Sequence, residues 1–180
     1  SIADNKVIQE AFEYAEKNDK AVHFIGLVSD GGVHSLDKHL YKLCDLTDNY
    51  NLERVFIHAL TDGRDTDPKS GKGFVQELVD HLKTSNGKIA SLIGRYYTMD
   101  RDKRWDRTEQ GYRLLTEGKG KPYTDVESVF TDSYAEKVTD EFIKPSVLME
   151  EGEPVATLGP GDALIVFNFR VDRVRQISHA

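Results

Sequence analysis

Val55-Phe56-Ile57-His58-Ala59-Leu60 runs without interruption into Thr61-Asp62-Gly63-Arg64-Asp65-Thr66-Asp67-Pro68. An apolar run of this length, rich in β-branched and aromatic residues, reads as a buried strand. The polar stretch after it turns the chain. Asp67 followed by Pro68 then reads as a helix start, because Asp caps free N–H groups and Pro is tolerated in the first turn. Val75, Leu78, Val79 and Leu82 continue at helical spacing. The stretch therefore encodes a strand, a polar loop and a helix in succession.

The same unit recurs on both sides. Upstream, Val7, Ala11, Phe12 and Ala15 mark an opening helix over about 5–18. Ala21–Val28 follows as a strand closed by Ser29-Asp30-Gly31-Gly32, and a second helix fits about 36–48. Downstream, Lys88–Ile93 reads as a third strand leading into Gly94-Arg95-Tyr96-Tyr97, then a charged helix over about 103–117. Residues 118–160 are less regular, with a helix expected near 132–139 and a strand near 154–158. Ala163–Phe169 is the last strand and delivers Arg170. Strands alternating with helices of this length predict a three-layer α/β/α fold around a largely parallel sheet, with room for a mixed edge. No linker, repeat or low-complexity tract divides residues 1–180, so a single domain is expected.

The bulk properties exclude several classes. The chain has 38% hydrophobic and 31% charged residues, ordinary for a globular protein. No apolar stretch approaches the roughly 18 residues of a membrane span. The formal net charge of −7 argues against nucleic acid or an anionic membrane as the main partner. It says little about a small anion, because charges farther apart than about 8 Å are screened at physiological salt. No basic-then-apolar leader opens the sequence, so nothing argues for export. The lone cysteine, Cys44, shares a helical face with Leu36, Leu40 and Leu43 and is expected to be buried and reduced, which fits a cytoplasmic home.

Arginine placement carries the functional signal. Eight of ten arginines fall in three windows: Arg64; Arg95, Arg101, Arg104 and Arg107; Arg170, Arg173 and Arg175. Each window opens where an apolar run ends. Guanidinium groups grip carboxylates and phosphates with paired donors, and open α/β sheets bind ligands beyond the carboxyl ends of their strands. A site for a small, multiply charged anion is expected there, with Arg64 on the anion and Asp65 on a neighbouring hydroxyl. Ser29-Asp30-Gly31-Gly32-Val33-His34-Ser35 adds two glycines and His34 at a helix start, a setting for an anion or for an ordinary turn. The acidic stretch 62–67 lacks the spacing and closing glutamate of a calcium loop. Arg104, Arg107 and Arg175 read as surface residues in ion pairs, and Trp105 reads as packing.

Together, SDGGVHS, HALTDGRDTDP, GRYYTMDRDKRWDR and FNFRVDRVRQ resemble the cofactor-independent (2,3-bisphosphoglycerate-independent) phosphoglycerate mutases. The resemblance spans nearly the whole sequence but only the middle portion of the family, its inserted substrate-binding or phosphotransferase domain. It implies an isomerase that interconverts 3- and 2-phosphoglycerate in glycolysis, through a phosphoserine on a second, metallophosphatase-like domain that also carries two manganese ions. None of that domain's metal motifs is in this sequence, so no metal or other cofactor is expected here, and the piece alone should not turn over.

The resemblance further implies that Arg64, Arg95 and Arg101 hold the carboxylate and hydroxyl end of the substrate. Asp65 would serve as general acid/base, His34 would contact the substrate near the transferring phosphoryl, and Arg170 and Arg173 would neutralise that group. The partners implied are phosphoglycerate and the metallophosphatase-like domain of the same parent chain, itself a monomer. Two departures stand out. Leu36 occupies the place of a second histidine found in many members. The sequence also ends early, soon after RVDRVRQIS, where the family's domain continues for further strands, so one sheet edge is expected to lack a partner. The competing reading of the residues is a free-standing anion-binding or sensor module.

Overall fold

The computed structural model describes residues 1–180. Its helices are α1 (Lys6–Asn18), α2 (Asp37–Thr47), α3 (Gly71–Leu82), α4 (Arg95–Thr98), α5 (Trp105–Glu117), α6 (Val126–Ala135) and α7 (Arg175–His179). Its strands are β1 (Val22–Leu27), β2 (Val55–Thr61), β3 (Gly87–Gly94), β4 (Lys121–Tyr123), β5 (Ser146–Glu150), β6 (Glu153–Pro154) and β7 (Ala163–Val166). One sheet runs in the order β4-β5-β3-β2-β1-β7, with β6 paired to β5. Strands β7, β1, β2 and β3 are mutually parallel, whereas β5 runs antiparallel to β3. The expected three-layer α/β fold with a mixed edge is the one observed.

Alternation along the strands sends side chains to two cores. One face packs Val22, Phe24, Ile57 and Leu92 under α1, α2, α3 and α6, which contribute Phe12, Leu43, Leu78 and Phe130. The other packs Ile25, Leu27, Leu60, Ile93 and Val147 under Leu114 and Leu115 of α5 and Ile177 of α7. A register shift at Ile57/His58 puts Ile89 and Leu92 on the same face although they are three apart. Cys44 is fully buried, and burial pushes its thiol up to about 12, so it is inert packing. No helix is long and apolar enough to cross a membrane.

A polar chain crosses the interior. Ser91 Oγ lies 2.8 Å from His58 Nδ1, His58 Nε2 lies 2.9 Å from His23 Nδ1, and His23 Nε2 lies 3.1 Å from Asp162 Oδ2. With the Asp162 carboxylate accepting from His23, each earlier nitrogen has only one role left, so Ser91 donates to His58 and His58 to His23.

Several boundaries differ from the sequence reading. Helix α3 begins at Gly71, because Asp67 caps a local turn through Lys69 N–H and the Pro68 carbonyl accepts from Asp140 N–H. The Gly71 N–H is instead capped by the Asp140 carboxylate at 2.7 Å, from a remote segment. Helix α6 starts earlier than expected, at a cap in which Asp125 accepts from Ser128 N–H. Strand β5 had not been foreseen, and only Glu153–Pro154 of the expected strand near 154–158 pairs. Strand β7 ends at Val166; beyond it the Asn168 side chain accepts from Leu27 N–H at 2.9 Å and replaces the ladder bond. The outer side of β7 carries no strand, and Leu164 stands 44% exposed on it.

A strap over residues 139–143 crosses the carboxyl ends of β2 and β3. Thr61 Oγ1 donates to the Asp140 carbonyl at 2.7 Å and Gly94 N–H to the Ile143 carbonyl at 2.7 Å. Gly94 and Gly63 both lie against this backbone: an added Cβ would come within 2.2 Å of the Glu141 carbonyl oxygen at Gly94, or 2.8 Å of the Glu141 nitrogen at Gly63.

Candidate anion-binding site

Parallel pairing carries the loops after β1, β2, β3 and β7 to one edge of the sheet. Arg95 follows β3 directly and opens α4, so its side chain is 4% exposed and reaches the loop after β2. There its Nη1 donates to Asp62 Oδ1 at 2.8 Å and to Asp65 Oδ2 at 2.6 Å. The second oxygen of Asp62 accepts from Ser29 Oγ at 2.7 Å, and Oδ1 also takes the N–H groups of Arg64 and Asp65. Burial alone would push the Asp62 carboxyl up; bonds from Ser29, the Asp65 backbone and Arg95 outweigh it and hold the group below the usual carboxylate range.

His34 is 4% exposed, with Nε2 facing Asp65 Oδ2 at 3.7 Å. Its Nδ1 is buried without a partner. Burial, reinforced by the nearby Arg95 charge, lowers its pKa and keeps the ring neutral near pH 7. The His34 carbonyl accepts from Phe169 N–H at 2.9 Å, which ties the loop after β1 to the loop after β7.

Beside this buried centre lies a cleft of about 260 Å³ lined by Arg64, Arg95, Arg101, Arg104, Arg107 and Arg173, with Tyr96, Met99, Asp100, Asp102 and Glu141. Six guanidinium groups face three carboxylates there. Arg64 meets Glu141 at 3.5 Å, and Arg104 and Arg107 approach Asp100 at 3.6 and 3.7 Å. Arg173 has no carboxylate within ion-pair distance; partial burial, with Arg101, Arg64 and Arg95 nearby, lowers its pKa. A half-buried cation crowded by other cations is a group that an anion would stabilise.

Larger apolar surface exists elsewhere, as in the roughly 470 Å³ groove beside Val79, Leu82 and Leu148, but its charges are of both signs, with Lys88 paired to Glu150 at 3.0 Å. Of the seven residues expected at the site, His34, Arg64, Asp65, Arg95, Arg101 and Arg173 converge on this centre and cleft. Arg170 stands at the rim: its Nε donates to Asp172 Oδ1 at 2.9 Å, and Arg101 donates to Asp172 Oδ2 at 3.0 Å.

Two expectations need correction. Arg107 reads as a surface residue in the sequence, yet it is only 21% exposed, lines the cleft and stacks 3.8 Å from the Tyr96 ring centroid, while Arg104 keeps the expected exposed ion pairs, to Asp100 and Asp102, at the cleft's edge. Trp105 was read as packing and is 53% exposed. Arg175 is exposed, as expected.

Sequence reasoning missed Asp62, Glu141, Asp100 and Asp172. Asp62 had a local signal, an Asp-Gly turn two residues before Arg64. Glu141 had none, because its position depends on the strap. A metal does not suit this cleft: guanidinium groups repel a cation, and the chain contains no cluster of three or more ligating side chains. Its donors suit carboxylate and phosphate oxygens.

The family described as the BPG-independent PGAM N-terminus matches residues 1–180. A 2,3-bisphosphoglycerate-independent phosphoglycerate mutase of Parabacteroides distasonis is 55% identical over 178 residues, covering 99% of this chain and 35% of its own. That of Bacteroides thetaiotaomicron is 53% identical with the same coverage. A solved structure of Leishmania mexicana phosphoglycerate mutase, at low cobalt concentration, superposes with a TM-score of 0.92 at 32% identity, covering 99% of this chain and 34% of that one. The chain thus spans about a third of the length of these relatives.

Proposed function

Since the chain belongs to the 2,3-bisphosphoglycerate-independent phosphoglycerate mutase family, we propose that residues 1–180 are its substrate-holding, phosphotransferase domain. In this reading the domain grips phosphoglycerate while a different part of the parent enzyme moves the phosphoryl group between the 3- and 2-hydroxyls. The observation that carries the proposal is the cleft in which six arginines face three carboxylates, with Arg173 left without a counter-ion.

Arg64, Arg95 and Arg101 would hold the carboxylate and hydroxyl end, and Arg170 and Arg173 would neutralise the phosphoryl oxygens. Asp65 is engaged through Oδ2 with Arg95 and lies beside His34; its Oδ1 remains available to take or return the proton of a glycerate hydroxyl. His34, neutral by burial, can donate from Nε2 to a substrate oxygen, and Arg95 fixes Asp65 for the exchange. Serine nucleophile, metallophosphatase-like partner domain and two manganese ions would all belong to the remainder of the parent, which we take to be a cytoplasmic, monomeric glycolytic enzyme. No step performed by this chain's residues runs through a metal.

Titration calorimetry of the chain with 3-phosphoglycerate at low salt tests the reading, with an oligonucleotide as the contrasting ligand. Saturable phosphoglycerate binding that weakens in Arg95→Ala and Arg173→Ala is expected. Tight oligonucleotide binding with none of phosphoglycerate would remove the proposal. A metal-loaded remainder of the enzyme added in trans should restore turnover; a free-standing sensor would gain none.

A further inference from the structure

Asp172 makes an unusual use of its carboxylate. Oδ1 takes Arg170 Nε at 2.9 Å, while Oδ2 takes Arg170 Nη2 at 3.3 Å and Arg101 Nη1 at 3.0 Å. Arg170 is thereby clasped in the two-pronged geometry that a guanidinium offers to a carboxylate or phosphate. The two arginines come from different segments, between α4 and α5 and after β7, so one carboxylate bridges the mouth of the site.

The carboxylate also lies among the charges of the site itself. His34 feels both Arg170 and Asp172, and Arg173 feels Asp172 together with Arg101, Arg64 and Arg95. No backbone duty explains it: the 3-10 turn Val171–Arg173 carries no side-chain cap, and every hydrogen bond of this carboxylate goes to arginine. The side chain is 35% exposed, with Arg101 and Arg170 at 47% and 49%, so all three are free to rearrange.

We propose that Asp172 is a built-in surrogate for the ligand's anion, holding Arg101 and Arg170 in the empty site and yielding them when an external oxyanion arrives. The inference rests on the anion-holding reading above and adds a determinant of specificity to it. A monoanion that displaces Asp172 exchanges one negative charge for another and gains little. A phosphoryl dianion brings a second charge and wins the exchange. Asp172 thus raises the threshold for chloride or simple carboxylates while leaving phosphate esters able to enter.

The test is calorimetric titration of the chain, Asp172→Asn and Asp172→Ala with inorganic phosphate and with 3-phosphoglycerate at about pH 8, where both phosphoryl groups are dianionic. Circular dichroism of each variant establishes folding. Both anions should bind both variants about fivefold to tenfold more tightly, the loss of two exposed ion pairs setting the scale. Affinity for phosphate that is unchanged or weaker in both variants overturns the inference, as does an absence of phosphate binding in all three proteins. Phosphate tightened by the substitutions, with 3-phosphoglycerate bound by none, keeps the surrogate role and removes the phosphoglycerate reading. A crystal structure with phosphate gives the second readout. Its oxygens should sit on Arg170, the arginine read above as meeting the phosphoryl group, with Asp172 turned away; phosphate elsewhere, with Asp172 still clasping Arg170, counts against the proposal.

Discussion

Arg95 and Asp62 lie 2.8 Å apart with side chains only 4% and 1% exposed, so their ion pair is sealed inside the protein although it forms the floor of the site. A buried pair of this kind does little for stability when intact, because desolving both charges offsets their attraction. Broken on one side, it strands the other.

Arg95→Ala should therefore destabilise the fold by about 3–5 kcal/mol, since Asp62 and Asp65 both lose their cation. Urea denaturation measures this directly. Arg95→Lys should recover only part of it, because a point-like ammonium cannot reproduce the fixed planar geometry of the guanidinium. Full recovery by lysine would mean that charge alone matters at this position.

Arg173→Ala is expected to behave in the opposite way. Arg173 has no carboxylate partner and is crowded by other arginines, so its removal should leave the melting temperature unchanged or raise it. Phosphoglycerate affinity should nevertheless fall roughly tenfold to a hundredfold, the worth of a charged hydrogen bond at about 1.5–3 kcal/mol. Loss of both stability and affinity would recast Arg173 as structural.

Acid sensitivity should come from the interior histidines. Burial lowers His58 from the ordinary 6.5 to about 3, and it lowers His23 against the opposing pull of Asp162. Below about pH 6.5 the unfolded chain takes up protons that these folded histidines refuse, so stability falls as pH falls from there towards 3. The slope should reach about 1.4 kcal/mol per pH unit for His58, with His23 adding to it in the same direction. Urea melts between about pH 7.5 and pH 5 should show it, and His58→Asn should flatten it. An unchanged slope in that variant would assign the effect to other groups.

Two glycines should separate cleanly. Gly94→Ala would bring a methyl against the backbone of Glu141 and Ile143 and should cost about 1–3 kcal/mol or more, because backbone cannot step aside as a side chain can. Gly73, in α3, has nothing within 4 Å of an added Cβ, and Gly73→Ala should stabilise by about 0.5–1 kcal/mol. Thermal melts of the pair provide the check.

How far the sequence could be read follows the range of the forces involved. Strands β1, β2 and β3 were legible almost to the residue, because continuous apolar runs closed by glycine-rich loops are local signals. Six of the seven expected site residues converge because parallel strands of similar length deliver their carboxyl ends together. Strand β5 was not legible: Ser146–Glu150 is short, mixed in polarity and paired antiparallel to a strand more than 50 residues away. The start of α3 was misread because its cap, Asp140, comes from the strap, not from the neighbouring Asp67. Arg107 looked like one more charge on a helix face, since its stacking on Tyr96 depends on how α4 and α5 meet.

The strap over residues 139–143 touches the glycines behind it mainly through main-chain atoms, with Asp140 alone adding side-chain contacts, to Gly63 and Gly71. Its path is fixed by this backbone packing, while its side chains divide. Thr139 and Phe142 should accept replacement in a mutational library, whereas Asp140, the fully buried core residue Ile143 and the cleft residue Glu141 should not. Inserting or deleting a single residue there would shift Gly63, Gly71 and Gly94 out of alignment together and move the loops bearing Arg64 and Arg95 with them. The length of this segment, together with its buried Asp140 and Ile143, should be what natural and laboratory variation leaves unchanged.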